Sequence, residues 1–131
     1  MTKFILFITS APNTDIKSLD AFKFARASLK AGHCIEQVFF YADAVLTANK
    51  YLGVNNNTFN LHDAWITLAR EYDLVLNVCV TASIRRGILG ANEAEFHNFN
   101  QANLISPFKQ VGMADYFSAI KDQHDLVSVQ F

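Results

Sequence analysis

The sequence predicts an α/β fold, a single-domain three-layer sandwich with a mostly parallel sheet of about five strands. Short, continuous apolar runs such as Phe4–Ile8 and Val38–Tyr41 are typical of strands that are buried on both faces. Segments with helical periodicity separate these runs, which is the order that parallel sheets with crossover helices require. The chain has 131 residues, of which 51% are hydrophobic, so we expect residues 1–131 to form one domain with a substantial core.

The first half of the chain alternates strand and helix. The first strand, Lys3–Thr9, stops at the turn-forming segment Ser10–Asp15. A helix over 16–31 follows, with Leu19, Phe22, Ala25 and Leu29 on one face and Gly32 as its left-handed end. The second strand, 34–41, leads into a short helix near 43–52, and the segment 55–58 is predicted to be an irregular loop.

The second half begins with a helix that Asn60 caps, followed directly by a third strand at 74–78. The apolar residues of this helix follow helical spacing: Leu61, Ala64, Trp65, Leu68 and Tyr72. The segment 90–107 has no clean period and is predicted to be partly helix and partly loop. A last helix around 113–120 and a half-exposed edge strand at 126–131 complete the chain.

Composition and charge exclude several classes of protein. The formal net charge is −1 and there is no block of Lys and Arg, so we expect no direct binding to nucleic acid. We see no signal peptide and no apolar run of the ~20 residues that span a membrane, and therefore expect a soluble, cytoplasmic protein.

The 12 Phe residues either fill the core or lie at subunit contacts, and the sequence leaves both interpretations open.

The two cysteines are predicted to lie at opposite ends of the sheet. Cys34 begins one parallel strand and Cys79 ends another, which separates them by roughly 20 Å at ~3.3 Å per residue. A disulfide tolerates only about 7 Å between Cα atoms, and shared metal ligation requires a similar proximity. We therefore expect no disulfide, no metal site and a structural role for Cys34.

Cys79 is the candidate reactive group because a predicted helix begins directly after it. Unpaired N–H groups at a helix N-terminus favour an anion, and Arg86 lies seven residues on, hence on the same helical face. Arg85 is a less direct neighbour, and Thr81 lies close in sequence. A thiolate is what a nucleophilic enzyme or a persulfide carrier needs, but an ordinary buried thiol is an equally good interpretation at this point.

A second candidate site is the loop Ser10–Asp15, which also follows a parallel strand. Its hydroxyl and amide groups are compatible with a phosphate loop of a flavodoxin-like cofactor module. It lacks the glycine patterns of phosphate-binding loops, so a plain connection remains the simpler interpretation.

The segment Asn77-Val-Cys-Val-Thr-Ala-Ser-Ile-Arg-Arg-Gly87 closely resembles the active-cysteine segment of the DsrE-like family of sulfur relay proteins. Further matches are Ala21–Ala25 with Gly32-His33, then Val38–Tyr41, Ala48-Asn49 and Val129–Phe131. The resemblance covers essentially the whole chain. One departure is the loop Ser10–Asp15, which has no glycine where the family has a glycine-rich loop.

The resemblance implies a sulfurtransferase that carries a persulfide on Cys79. It implies sulfur transfer from a TusA-like donor to a TusE-like acceptor for 2-thiolation of the wobble uridine of transfer RNA. TusB-like and TusC-like subunits would complete a hetero-oligomer, and no cofactor would be needed. Other members of the family serve sulfur oxidation, which is the alternative pathway.

Overall fold

The computed structural model describes residues 1–53, 59–121 and 123–131, and it contains one parallel β-sheet of five strands. The predicted loop at 55–58 lies outside the described residues. The sheet order is β4-β3-β2-β1-β5, and every neighbouring pair is parallel. The strands are β1 (Lys3–Ile8), β2 (Cys34–Phe40), β3 (Leu76–Cys79), β4 (Phe108–Val111) and β5 (Leu126–Gln130). The predicted α/β fold with about five strands is confirmed.

Helices cover both faces of this sheet, which gives the predicted three layers. They are α1 (Ile16–Lys30), a 3-10 helix (Ala42–Ala48), α2 (Leu61–Tyr72), α3 (Val80–Arg85), α4 (Ala91–Phe96) and α5 (Met113–Lys121). On one face, Trp65 of α2 packs edge-on against Phe40 of β2. On the other face, Tyr116 of α5 packs against Phe7 of β1 and Phe39 of β2. Because Phe39 and Phe40 are consecutive in one strand, they point to opposite faces, and each face has its own core.

The ends of the helices follow from local chemistry. Asn60 caps α2 by accepting a hydrogen bond from the Asp63 N–H at 3.1 Å, as predicted. Asp15 caps α1 in the same way, with the Lys17 N–H as donor at 3.0 Å. After α1, Gly32 takes the predicted left-handed conformation with φ 89°, which turns the chain into β2.

Sequence periodicity missed the edge strand β4. It has four residues, of which only Phe108 is buried, so it lacks the apolar run or alternation that identifies a strand. The segment before it is α4 followed by irregular chain, as expected for a segment without a clean period. Several element ends differ from the prediction by one residue. The larger differences are that β3 begins at Leu76 and extends to Cys79, and that the short helix after β2 is a 3-10 helix that ends at Ala48.

The phenylalanines are divided between core and surface. Eight are buried or packed against the core: Phe4, Phe7, Phe22, Phe24, Phe39, Phe40, Phe108 and Phe131. Four are exposed by half or more of their surface: Phe59, Phe96, Phe99 and Phe117. Most of the Phe residues therefore fill the core, and the four exposed ones are the candidates for the predicted subunit contacts.

Candidate functional site

Cys79 lies at the junction of β3 and α3, with no connecting residue between the two elements. It is the last residue of β3, pairs with Val111 of β4, and is the cap residue of α3. Only 3% of its surface is exposed. The buried residues Leu76 and Val78 hold β3 inside the sheet, so the thiol has a fixed position at the carboxyl edge. This is where parallel sheets place their ligands and reactive groups.

A cavity of about 270 Å³ opens beside the thiol. Its walls come from the ends of β2 and β3, from α3 and from the start of α5: Tyr41, Ala42, Cys79, Thr81, Ala82, Arg85, Arg86 and Met113. All four residues that the sequence singled out, Cys79, Thr81, Arg85 and Arg86, therefore meet around one space. The cavity gives a small sulfur-bearing group a route to a thiol that is otherwise covered.

Arg86 is held in place by two groups other than the thiol. Its Nε donates a hydrogen bond to Asp43 Oδ1 at 3.0 Å, and its terminal nitrogen donates to the Ala82 carbonyl at 3.1 Å. We expected the Arg86 guanidinium to approach Cys79 directly. In the structure these two hydrogen bonds hold it in the cavity wall instead. Sequence reasoning missed Asp43, although its place just after a strand that ends at the carboxyl edge was a usable signal.

Arg85 carries the uncompensated positive charge at this site. It is exposed, and within residues 1–53, 59–121 and 123–131 it takes part in no ion pair. The Arg86 charge is offset by Asp43, whereas no carboxylate among the described residues forms an ion pair with Arg85. The net charge of the described cavity lining is therefore positive, and Arg85 supplies it.

A buried hydrogen-bond network fixes α3 against the edge strand. The fully buried Ser83 donates from Oγ to the Val80 carbonyl at 2.9 Å and accepts from Gln110 Nε2 at 2.7 Å. Gln110 Oε1 in turn accepts from the Gly90 N–H at 3.1 Å. A Cβ at Gly90 would lie 2.9 Å from that oxygen, so a larger residue here would displace the end of the Gln110 side chain. Neither Ser83 nor Gln110 was singled out from sequence, because each looks like an ordinary polar residue until the two are brought together.

No histidine lines the Cys79 cavity in the described part of the chain. His62 is buried and stacks on Phe108, with Nδ1 2.8 Å from the Thr47 carbonyl. His97 and His124 are exposed. A Cys/His pair of the hydrolase type is therefore absent from the described residues of this site.

The loop after β1 borders a second cavity, of about 710 Å³. Its lining includes Ser10, Thr14, Asp15 and Asp43, so the Asp43–Arg86 ion pair stands between the two cavities. The Asp15 carboxylate occupies the N-terminus of α1, where a cofactor phosphate would have to bind. This negative charge disfavours the flavin-phosphate interpretation of the loop.

Both cysteines are free, as the sheet register requires. Cys34 pairs with Lys3 at the start of β2, whereas Val78, next to Cys79, pairs with Phe40 at the end of β2. The two thiols thus lie at opposite edges of the sheet. Among the described residues, none of the helices is both long and apolar enough to cross a membrane.

Comparison with known proteins identifies the family to which this chain belongs. Residues 2–129 match the model of the DsrE/DsrF-like family, and the chain belongs to that family. The YchN protein of E. coli has the same fold, with a TM-score of 0.73 over 98% of this chain and 100% of its own, at 11% identity.

Within the family, the relatives are sulfurtransferases named TusD. The chain is 39% identical to the sulfurtransferase TusD homolog of Aliivibrio fischeri over 103 residues, which cover 79% of each protein. It is 39% identical to the sulfurtransferase TusD of Yersinia pestis over 111 residues, which cover 85% of each. The predicted family and the predicted sulfurtransferase class are confirmed.

Proposed function

We propose that this protein is a sulfur carrier that holds the transferred sulfur as a persulfide on Cys79. The observation that carries the proposal is the position of this thiol, fixed at the carboxyl edge of the sheet in a cavity with two arginines. The relationship to proteins named sulfurtransferase TusD supports the same chemistry.

The reaction needs only thiol–disulfide exchange. The Cys79 thiolate attacks the outer sulfur of a donor persulfide, the donor S–S bond breaks, and the donor leaves as a thiolate. An acceptor thiolate then attacks the outer sulfur of the Cys79 persulfide and restores the Cys79 thiolate. The net positive charge of the cavity, which Arg85 supplies, favours anionic sulfur at both steps. No organic cofactor or metal takes part in this sequence.

The finer assignment follows the TusD-like resemblance. We propose a TusA-like donor, a TusE-like acceptor, and 2-thiolation of transfer RNA wobble uridine as the end of the relay, in the cytoplasm. Residues 1–131 would act as one relay domain in a hetero-oligomer with TusB-like and TusC-like subunits. A carrier role in sulfur oxidation is the alternative use of the same cysteine chemistry.

The test is intact mass after incubation with a persulfide donor. We expect a gain of one sulfur atom, which dithiothreitol removes and which the Cys79→Ser variant does not acquire. Cys34→Ser is the matched control and should load normally, because that thiol lies at the opposite edge of the sheet. Loading of Cys79→Ser at the rate of the unmodified protein would overturn the assignment.

A further inference from the structure

We propose that Arg85 selects sulfur donors that carry a carboxylate next to their persulfide cysteine. This inference rests on the proposed function and names the substrate class of the same site. The two arginines of the cavity differ in whether a carboxylate of this chain pairs with them, and this difference shows which one is available to a donor. Arg86 is neutralised by Asp43 at 3.0 Å, whereas Arg85 is exposed and takes part in no ion pair within the described residues.

The spacing along α3 suits such a donor. Arg85 lies six residues after Cys79, which corresponds to a rise of about 9 Å along a helix. A residue adjacent to the donor cysteine is displaced by ~3.4 Å in an extended chain, and the flexible side chains of Arg and Asp or Glu bridge the remainder. A donor whose sulfur enters the cavity therefore brings a neighbouring carboxylate within reach of Arg85.

The donor depends on this contact more than the acceptor does. Cys79 as a residue is only 3% exposed, so the donor sulfur must enter the cavity to reach it. Once Cys79 is loaded, its outer sulfur stands about 2 Å further from the protein, which is the length of an S–S bond. The acceptor thus reacts nearer to the cavity mouth and needs less help in docking.

The transfer itself is balanced without any co-reactant. The Cys79 thiolate forms a bond to the outer sulfur of the donor, and the S–S bond within the donor persulfide breaks. The electron pair of that bond leaves with the donor cysteine as a thiolate, and the proton stays on the persulfide now held by Cys79. Arg85 makes no bond in this step. Its effect on the thiolate is the same for every donor, so a difference between donors reports on its contact with the donor.

The experiment compares two persulfidated peptides, Gly-Asp-Cys-Asp-Gly and Gly-Asn-Cys-Asn-Gly, which differ only in charge. The initial rate of sulfur loading on Cys79 is followed by mass spectrometry of tryptic fragments, which separate Cys79 from Cys34. At low ionic strength we expect the acidic peptide to load about fivefold faster, which is the upper end of the effect of one exposed ion pair. The rate ratio should approach one at 1 M salt, where the screening length is about 3 Å.

Arg85→Glu should reverse the preference, so that the neutral peptide loads faster. Arg70→Glu is the matched control, because Arg70 is an exposed arginine in the last turn of α2, before β3 begins and away from Cys79. It should keep the preference of the unmodified protein. An arginine that acted only on the thiolate would change both rates equally and leave their ratio unaltered.

Equal loading by the two peptides, or a preference that survives Arg85→Glu, would overturn this inference and leave the proposed function intact. Failure of both peptides to load Cys79, with active persulfide confirmed on a free low-molecular-weight thiol, would overturn the proposed function itself.

Discussion

At the scale of single residues, the cavity holds two arginines with different roles. Arg86 is part of the wall, bound to Asp43 and to a carbonyl of its own helix, whereas Arg85 faces solvent. The sequence predicted the face of the helix on which Arg86 lies, because helical geometry fixes that. It could place Asp43 near the same edge of the sheet but could not predict the ion pair itself, because that contact joins residues 43 positions apart in sequence.

Replacing Arg86 with Met should slow alkylation of Cys79. The substitution removes a cation from the cavity wall and leaves the Asp43 carboxylate unpaired beside it, so both effects disfavour the thiolate. We expect iodoacetamide to react with Cys79 about fivefold more slowly at neutral pH and low salt.

The double variant Arg86→Met, Asp43→Asn provides the control, because it also removes the negative charge. Its alkylation rate should lie between that of Arg86→Met and that of the unmodified protein. A double variant slower than Arg86→Met would show that the pair acts through structure and not through charge.

At the scale of elements, the short helix α3 depends on the edge strand β4 for its position. Ser83 and Gln110 join the two through a network that leaves the Gly90 N–H and the Ser83 hydroxyl satisfied. Sequence periodicity predicted α3 and α5 but not β4, since a four-residue edge strand with one buried side chain carries almost no pattern. The contact between Ser83 and Gln110 that fixes α3 therefore involves the one strand, β4, that the sequence did not predict.

The variant Gln110→Leu should be less stable by about 2–3 kcal/mol in free energy of unfolding, because it leaves a buried N–H without an acceptor. Lys109→Leu, on the same strand but exposed, should change the free energy by no more than about 0.5 kcal/mol. Urea denaturation measures both. If the two variants proved equally stable, the network would have no structural importance.

At the scale of the whole molecule, the parallel sheet concentrates chemistry at one edge and leaves aromatic surface elsewhere. The two-faced core, which includes Phe7, Phe39, Phe40 and Trp65, takes eight of the 12 Phe residues. Composition could not say which Phe residues stay outside, since this depends on how α4 and α5 are rotated against the sheet. Phe96 and Phe99, exposed by 78% and 60%, are the clearest members of the exposed set.

If these exposed aromatics are subunit contacts, Phe96→Ser with Phe99→Ser should weaken assembly without unfolding the protein. We expect a lower yield of complex when the variant is co-expressed with TusB-like and TusC-like subunits, measured by size-exclusion chromatography. The thermal midpoint of the isolated chain should stay within a few degrees, because neither side chain is buried. Normal assembly of the variant would place the contacts on other surfaces.

The direct junction between β3 and α3 has a consequence for how this site can change. With no loop between Cys79 and Val80, a single inserted residue would rotate the rest of the helix by about 100° and carry both arginines away from the thiol. Substitutions can change the charge around the sulfur and keep the geometry. An insertion at this point changes the positions of the two arginines relative to the Cys79 thiol. Variation in length is therefore expected in neighbouring loops, such as Ser10–Asp15 at the second cavity, and not at the junction itself.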